Sequence, residues 1–367
     1  MPLPSRLAAE ATSQGGLDKR RRLTPRTTSG AERAEARLAD REIRSYESEY
    51  VNALWHWDCH HCSRKVLTAR GEWVTPILFG VVDDRSRLAC HLQWYLAESA
   101  ETIAHGLRQA FQKRGLPRSA LSDNGAAMTA AEITQGLSRL GILHQTTLPY
   151  SPYQNAKQEA FWAPVEGRLM AMLEHVPDLT LSVLNEATQA WVEQDYNAKH
   201  HSEIGATPIA RFLAGPTVTR ACPGSDALRL AFTRSDTRTQ RKSDGSIVIE
   251  GRRFEIPNRY RHLTRIEVRY ASWDLGHVRL VDERTGGVLA RLYPQDKSQN
   301  ASGLRRTLDP VSTASTKPVP TSTAPDPTMP PLLARMLDKQ AAMGLAPPYL
   351  PKDEAQDKPK NDDGETS

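Results

Sequence analysis

The sequence predicts an α/β protein: a mixed five-stranded sheet flanked by helices, followed by a small antiparallel β-barrel. Three observations predict it. Apolar stretches of strand length at 51–59, 73–83 and 88–95 follow one another before any helical periodicity, as in an antiparallel meander. Helix and strand patterns then alternate, which places helices against a sheet. Between 227 and 293 only short strand patterns occur, at close spacing and separated by polar turns, which suits a small barrel or sandwich.

Each element has its own signal. The stretch at 51–59 is apolar and aromatic, that at 73–83 (WVTPILFGVVD) is more continuously apolar, and 88–95 alternates. Ile103, Leu107 and Phe111 recur at helical spacing within 100–114. A short strand at 120–122 ends in Asp123, 130–140 reads as a helix and 142–148 as a fifth strand. Helical patterns follow at 154–175 and 181–196. In the C-terminal part, 247–250 and 252–256 flank Gly251 as a hairpin, and strands are expected at 266–270, 278–281 and 288–293. The division is then a basic arm and helix at 1–49, a core at 50–178, a helical connector at 179–226 and the barrel at 227–296. A Pro-rich linker fills 297–367 and contains a short amphipathic helix at 331–343. A helix set beyond such a linker has no obvious place on its own core, so its apolar side reads as a docking peptide.

Composition narrows the function. At 367 residues the chain is long enough for two or three domains, and 39% hydrophobic residues can build a core. The mean hydropathy is −0.55 and no apolar run approaches the ~18 residues of a membrane span, so no membrane partner is expected. Four cysteines are too few for a disulfide scaffold. The net charge of +5 is unevenly distributed. Residues 229–293 carry fourteen basic and eight acidic residues, and 351–367 carry three basic and six acidic. A basic strand-rich region of this kind suits a polyanion.

Three carboxylates fall at the ends of core elements: Asp58, Asp123 and Glu159, with 35 residues between the last two. If the first and fourth strands are neighbours, their ends set two Asp side by side and a crossing helix supplies Glu159. Such a cluster suits Mg²⁺, a hard cation that prefers oxygen ligands. Two such ions ~3.5–4 Å apart clamp a phosphodiester. The bland reading, three unrelated cap or loop carboxylates, competes with it.

The strings around these acids tip the balance. LWHWD ending at Asp58, SDNGAAM around Asp123, and TLPYSPYQNAKQEAFW around Glu159 together resemble the catalytic core of DDE transposases and retroviral-type integrases. YNAKHHSEIGATPIARF at 196–212 is similar to the segment that follows that core, and the basic strand region resembles the C-terminal β-barrel of Mu-type transposases. The resemblance covers about 50–293 and implies an RNase H-like sheet. It implies Asp58, Asp123 and Glu159 as catalytic, metal-binding residues for two Mg²⁺ ions, with Mn²⁺ able to substitute. It further implies DNA contacts at Asn124, Gln154, Asn155 and Lys157, the last suited to a phosphate by its charge. The reaction implied is hydrolysis at transposon ends and transfer of the exposed 3′-OH to target DNA, with no covalent protein intermediate. Implied partners are double-stranded DNA, further copies of the chain assembled on it, and an AAA+ ATPase docked on the tail at 331–351. The implied setting is the cytoplasm and nucleoid of a bacterium.

Other features carry readings of their own. Arg252 and Arg253, with Arg259, Arg261, Arg265 and Arg269, form either a DNA or inter-subunit face or a solvated one. Asp83 and Asp84, beside Arg85 and Arg87, read as a turn with surface ion pairs. Cys59-His60-His61-Cys62 lacks a second ligand pair at a workable distance for zinc and reads as a turn between strands. Trp55, Trp57, Phe161 and Trp162 read as core. Ala156 stands where the family usually has Gly. Pro164 removes a helix hydrogen bond to Ala160, at ~3 kcal/mol or a kink. A shift of Glu159 by ~1 Å would lower rate about a hundredfold. Fifty residues ahead of the core cannot hold the end-reading helix-turn-helix domains of such transposases. Two rival readings follow: an impaired or shortened copy that binds DNA or a partner without cutting, and a nuclease of the same core that cleaves without joining.

Overall fold

The computed structural model describes residues 47–147, 156–296 and 329–343. The expected arm and helix before 47, Gln154, Asn155 and most of the tail lie outside the described residues. The core is a five-stranded sheet of β1 (Leu54–His61), β4 (Ile77–Asp83), β5 (Ala89–Tyr95), β6 (Ser119–Ser122) and β7 (Leu143–Thr146), in the order β5-β4-β1-β6-β7. The first three strands pair antiparallel and β1, β6 and β7 pair parallel, the RNase H-like arrangement. Pro76 ends what reads as one strand from 73: Trp73–Val74 is β3, paired with β2 (Val66–Leu67) in a separate ribbon.

Both faces of the sheet are covered, so β4 and β5 are buried along nearly their whole length. On one face, Trp55, Trp57, Phe79 and Val81 pack with Ile103, Leu107 and Phe111 of α1 (Ala100–Arg114) and Ile133 and Leu137 of α2 (Ala131–Arg139). Ser99 and Thr102 form a capping box that starts α1, and Gly115, at φ 80°, ends it. On the other face, Leu78, Val82, Leu92 and Trp94 pack with Phe161 and Trp162 of α3 (Ala156–Pro164) and Leu184 and Trp191 of α4 (Leu181–Trp191). Pro164 does not stop its helix: a π-helical turn, Val165–Met170, continues it and accommodates the missing amide hydrogen. A second π turn, Val192–Tyr196, extends α4.

β5 is the sheet edge, and side-chain amides cover its backbone. Asn185 accepts from Trp94 N at 2.8 Å and donates to its carbonyl at 3.1 Å. Asn197 does the same for Ala89, at 3.0 and 3.1 Å, and Gln189 donates to Leu92 O. These bonds satisfy groups that an open edge would leave bare.

After α5 (Pro208–Ala214) and α6 (Ser225–Ala231) come β8 (Arg234–Thr239), β9 (Ser246–Ile249), β10 (Arg252–Glu255), β11 (Arg265–Ala271), β12 (Asp274–Val281) and β13 (Val288–Leu292). The ladders form a four-stranded sheet, β13-β12-β11-β8, and a β9–β10 ribbon, and single bridges, Phe254–Pro294 and Arg241–Ser246, tie the ribbon to the segments that follow β13 and β8. Both share a core of Ile247, Ile249, Phe254, Val268, Tyr270 and Leu280. Glu250 and Gly251, at φ 44° and 74°, make the two-residue ribbon turn.

The tail helix, α7 (Pro331–Ala342), corrects the expectation of an unpartnered docking peptide. Leu333 and Met336 are buried in the same cluster as Trp191 and Leu184, against α4. The apolar side has found its own core, so an ATPase dock on this helix loses its premise. No described helix is long and apolar enough to cross a membrane.

Candidate active site

Side chains of β1 alternate between the two faces. Trp55, Trp57 and Cys59 point to the α1 side. His56, Asp58 and His60 therefore lie on the α3 side, where His60 stacks on Trp162 at 5.2 Å and bonds Glu166 at 2.8 Å. The parallel β1–β6 ladder closes on the pair His56–Leu121, so two residues further on Asp58 stands level with Asp123. Both are half-buried. Asp58 Oδ1 accepts from Cys59 N at 2.8 Å and Asp123 Oδ1 from Gly125 N at 3.0 Å. Asn124 is exposed and its amide donates to Thr147 O, fixing the turn.

Glu159 lies in the first turn of α3 and is exposed. The helix is seated over Asp58 by contacts on either side of Glu159. Gln158, fully buried, donates to Gly80 O at 3.4 Å, and Gly80 is the partner of Asp58 in the β1–β4 ladder. A Cβ on Gly80 would come within 2.6 Å of Trp162, so this glycine sets how closely α3 approaches the sheet. Among the described residues no three His, Cys, Asp or Glu side chains lie close enough to hold one metal ion. Asp58 and Asp123 share a register, and Glu159 rides on the helix above them without meeting them at one point.

The donors nonetheless suit a hard cation. Asp58 does not end its strand as expected but lies within β1, which runs on to His61; Asp123 follows the end of β6, and both offer carboxylate oxygens just past the β1–β6 ladder, while the nearby softer ligands are engaged elsewhere. Burial pushes the Cys59 thiol far up, and Glu98, Asp58 and Asp123 raise it further, so it stays protonated at neutral pH. His144 is bonded to Ser122 at 2.9 Å and lies against Trp57. Cys59, His60 and His61 are part of β1 rather than a turn, and Cys62 contacts Met170.

Glu98 is an acid that sequence reasoning passed over. An added Cβ on Gly125 would lie 3.1 Å from Asp123 Oδ1 and 3.4 Å from Glu98 Oε1, so the two carboxylates flank that glycine. Beside the Ser99 cap, Glu98 reads in sequence as ordinary helix-start acidity.

Asp83 and Asp84 do form a turn, but not a surface one: both are fully buried. Asp83 accepts from Asn52 N, Ser86 N and Ser86 Oγ. Its carboxyl is raised by burial, with those bonds opposing. Asp84 accepts from Ser48 N at 2.6 Å, His56 Nε2 at 2.7 Å and Lys157 Nζ at 2.5 Å. Burial alone would raise it, but the bonds from His56 and Lys157 hold it well below the usual carboxylate range. The Lys157 ammonium, expected at a phosphate, is thus bonded inside the protein. Arg252 and Arg253 are exposed on β10, Arg253 3.6 Å from Asp244.

The YN…HS segment is a clamp. Asn197 holds Ala89, Tyr196 donates to Arg87 O, and Glu203 pairs with Arg87 at 2.7 Å. Thr207 caps α5, with Pro208 at its first position.

The sheet order and the shared register of Asp58 and Asp123 are similar to the catalytic core of the DDE transposase and integrase class. More narrowly, residues 49–152 match the family of the integrase core domain, a match that ends before Glu159. The transposase for transposon Tn552 of Staphylococcus aureus is 25% identical over 262 residues, 65% of this chain and 53% of that protein. The chain spans about half the length of this curated relative. Among solved structures, one of the simian T-cell lymphotropic virus intasome, in complex with PP2A regulatory subunit B56 gamma, aligns over 68% of this chain and 78% of that one. Its identity is 16% and its TM-score 0.41. The catalytic core domain of BIV integrase aligns over 44% and 94%, at 24% identity and TM-score 0.35.

Proposed function

We propose that the chain is a DDE transposase or integrase that cleaves DNA to free a 3′-OH and joins that end to target DNA. The observation that carries this reading is the register of Asp58 with Asp123 just past the end of the parallel β1–β6 ladder, beneath the helix that bears Glu159. In this reading Asp58, Asp123 and Glu159 hold two Mg²⁺ ions, or Mn²⁺ in their place. Bound there, the metals would supply activation of the attacking oxygen and stabilisation of the leaving one. The chain's own residues supply position. Asp58 and Asp123 sit on paired strands that fix their separation, and Gly80 lets the Glu159 helix close on them. No protein nucleophile is required, in keeping with a protonated Cys59.

DNA would run past Asn124 and the segment with Gln154 and Asn155, and on to Arg252 and Arg253 of the basic strand region. The domains are then 50–178 for catalysis, 179–226 as connector and 227–296 for DNA, working as a homo-oligomer because two ends are joined in one event. The setting is a bacterial nucleoid.

The test is strand transfer of pre-cut duplexes, made from whatever inverted repeats sequencing finds on either side of the gene, into supercoiled plasmid with Mg²⁺ or Mn²⁺. Activity is expected, and Asp123→Asn should reduce it at least about a thousandfold. Joining that survives Asp58→Asn, Asp123→Asn or Glu159→Gln would overturn the assignment. DNA binding without joining in either metal would identify the chain as a non-cutting copy instead.

A further inference from the structure

Asp84 is a fully buried carboxylate that touches both β1 and α3, the elements that carry Asp58 and Glu159. Its Oδ1 bonds His56 of β1, two residues before Asp58, at 2.7 Å. The same oxygen bonds Lys157 of α3, two residues before Glu159, at 2.5 Å. Its Oδ2 accepts from Ser48 N, and its backbone carbonyl accepts from Arg87, which is itself held by Glu203. Asp84 N in turn donates to Leu54 O at 3.0 Å, so the carboxylate is anchored to the sheet as β4 ends.

We propose that Asp84 is a positioning residue that sets α3, and with it Glu159, in place over Asp58. The inference rests on the reading of Asp58, Asp123 and Glu159 as the catalytic acids. Lys157 is the second residue of α3, so its bond to Asp84 fixes both where the helix starts along β1 and how it is turned about its axis. Each residue of a helix is rotated by about 100° from the last. A first turn that slipped by one residue would carry Glu159 off the face it now occupies. Gln158, the next residue, holds the same first turn from Gly80 in mid-strand and Trp162 holds the helix on His60, while Lys157 ties its start to the end of β4 where Asp84 sits. A buried ion pair is seldom kept for stability, because desolvation cancels much of its attraction. Fixing one geometry among several is the role such a pair can serve.

Asp84→Asn keeps the shape and removes the charge, and Lys157→Met removes the partner. Three measurements on the full-length protein decide the matter: amide hydrogen exchange resolved by segment, thermal melting, and the kcat and KM of strand transfer. In Asp84→Asn the amides of α3 should exchange at least about tenfold faster while those of β4, β5 and α1 keep their protection. The kcat should fall about a hundredfold with KM for DNA changed less than about threefold. Lys157→Met added to Asp84→Asn should cost no more than Asp84→Asn alone. Exchange in α3 that matches the unmodified protein would overturn the proposal. So would loss of protection throughout the sheet, which would make Asp84 a residue of general stability. Should the unmodified protein transfer no strand at all, the functional reading fails, and the exchange pattern still decides whether Asp84 sets the helix.

Discussion

The core sheet and the C-terminal sheet are built from opposite materials. In the core sheet β4 and β5 are buried on both faces, and the acids gather where the β1–β6 ladder stops, Asp58 and Asp123, and at the Asp83–Asp84 corner after β4. In the C-terminal sheet, β11 alternates Ile266, Val268 and Tyr270 inward with Arg265, Glu267 and Arg269 toward the other side, so that face carries charge. A sheet wrapped by helices concentrates reactive groups at one end, while a sheet covered on one side spreads cations over a surface. Acids and arginines still pair in both regions, as Glu203 with Arg87 in the core and Asp236 with Arg238 and Asp244 with Arg253 in the C-terminal part, so the difference lies in the excess of base that the C-terminal part carries.

This contrast can be broken from either side. The largest effect is expected from Phe254→Ala, which empties the centre of the small core: about 3–5 kcal/mol of local stability should be lost. Exchange protection should fall in β8–β13 and hold in β1–β7; joint loss would show one cooperative unit. Gly80→Ala should come next. Its Cβ would meet Trp162 at 2.6 Å and Leu92 at 2.8 Å, costing about 1–3 kcal/mol and displacing α3. A lowered melting temperature with strand transfer reduced more than DNA binding would bear this out.

A third effect concerns pH. Burial raises the Glu193 carboxyl, but Lys113 and Arg114 more than offset this and hold it below its ordinary value of 4.5. A depressed carboxyl contributes stability that is fully present above pH 4.5 and is lost as pH falls through the folded value. Glu193→Gln should therefore cost about 1–3 kcal/mol at neutral pH and progressively less below pH 4.5, read from denaturant melts. An equal cost at all pH values would show that the pair adds nothing by charge. The smallest effect on stability is expected from Arg252→Ser, which is exposed. Melting should not change, while the salt dependence of DNA binding should weaken by about one counterion.

Much of the core was legible in the sequence because burial leaves a periodic mark. The helix expected at 100–114 has those bounds, and Asp58 and Asp123 could be set side by side from strand order alone. What the sequence hid was whatever depends on a distant partner. β8, Arg-Ser-Asp-Thr-Arg-Thr, has no apolar pattern and becomes a strand because β11 pairs with it along its length. Adjacent Asp83 and Asp84 look like surface residues until His56, Ser86 and Lys157 are seen to enclose them. Leu333 and Met336 announce a face to be covered without saying by what, and α4 proves to be the answer. How far Glu159 stands from Asp58 has no signature in the sequence, since it is fixed by Gly80, Trp162 and Lys157 acting on the helix.

The π turn at Val165–Met170 has a consequence for comparing this chain with its relatives. A wide turn takes up one more residue than an ordinary one while leaving the flanking segments on the same side. Phe161 and Trp162 before it and Leu169 and Met170 after it all reach the same core cluster. It is the conformation with which a helix absorbs a one-residue insertion without rotating everything downstream. A relative that lacks the wide turn would match this chain residue for residue up to Pro164 and fall one position out of step beyond it.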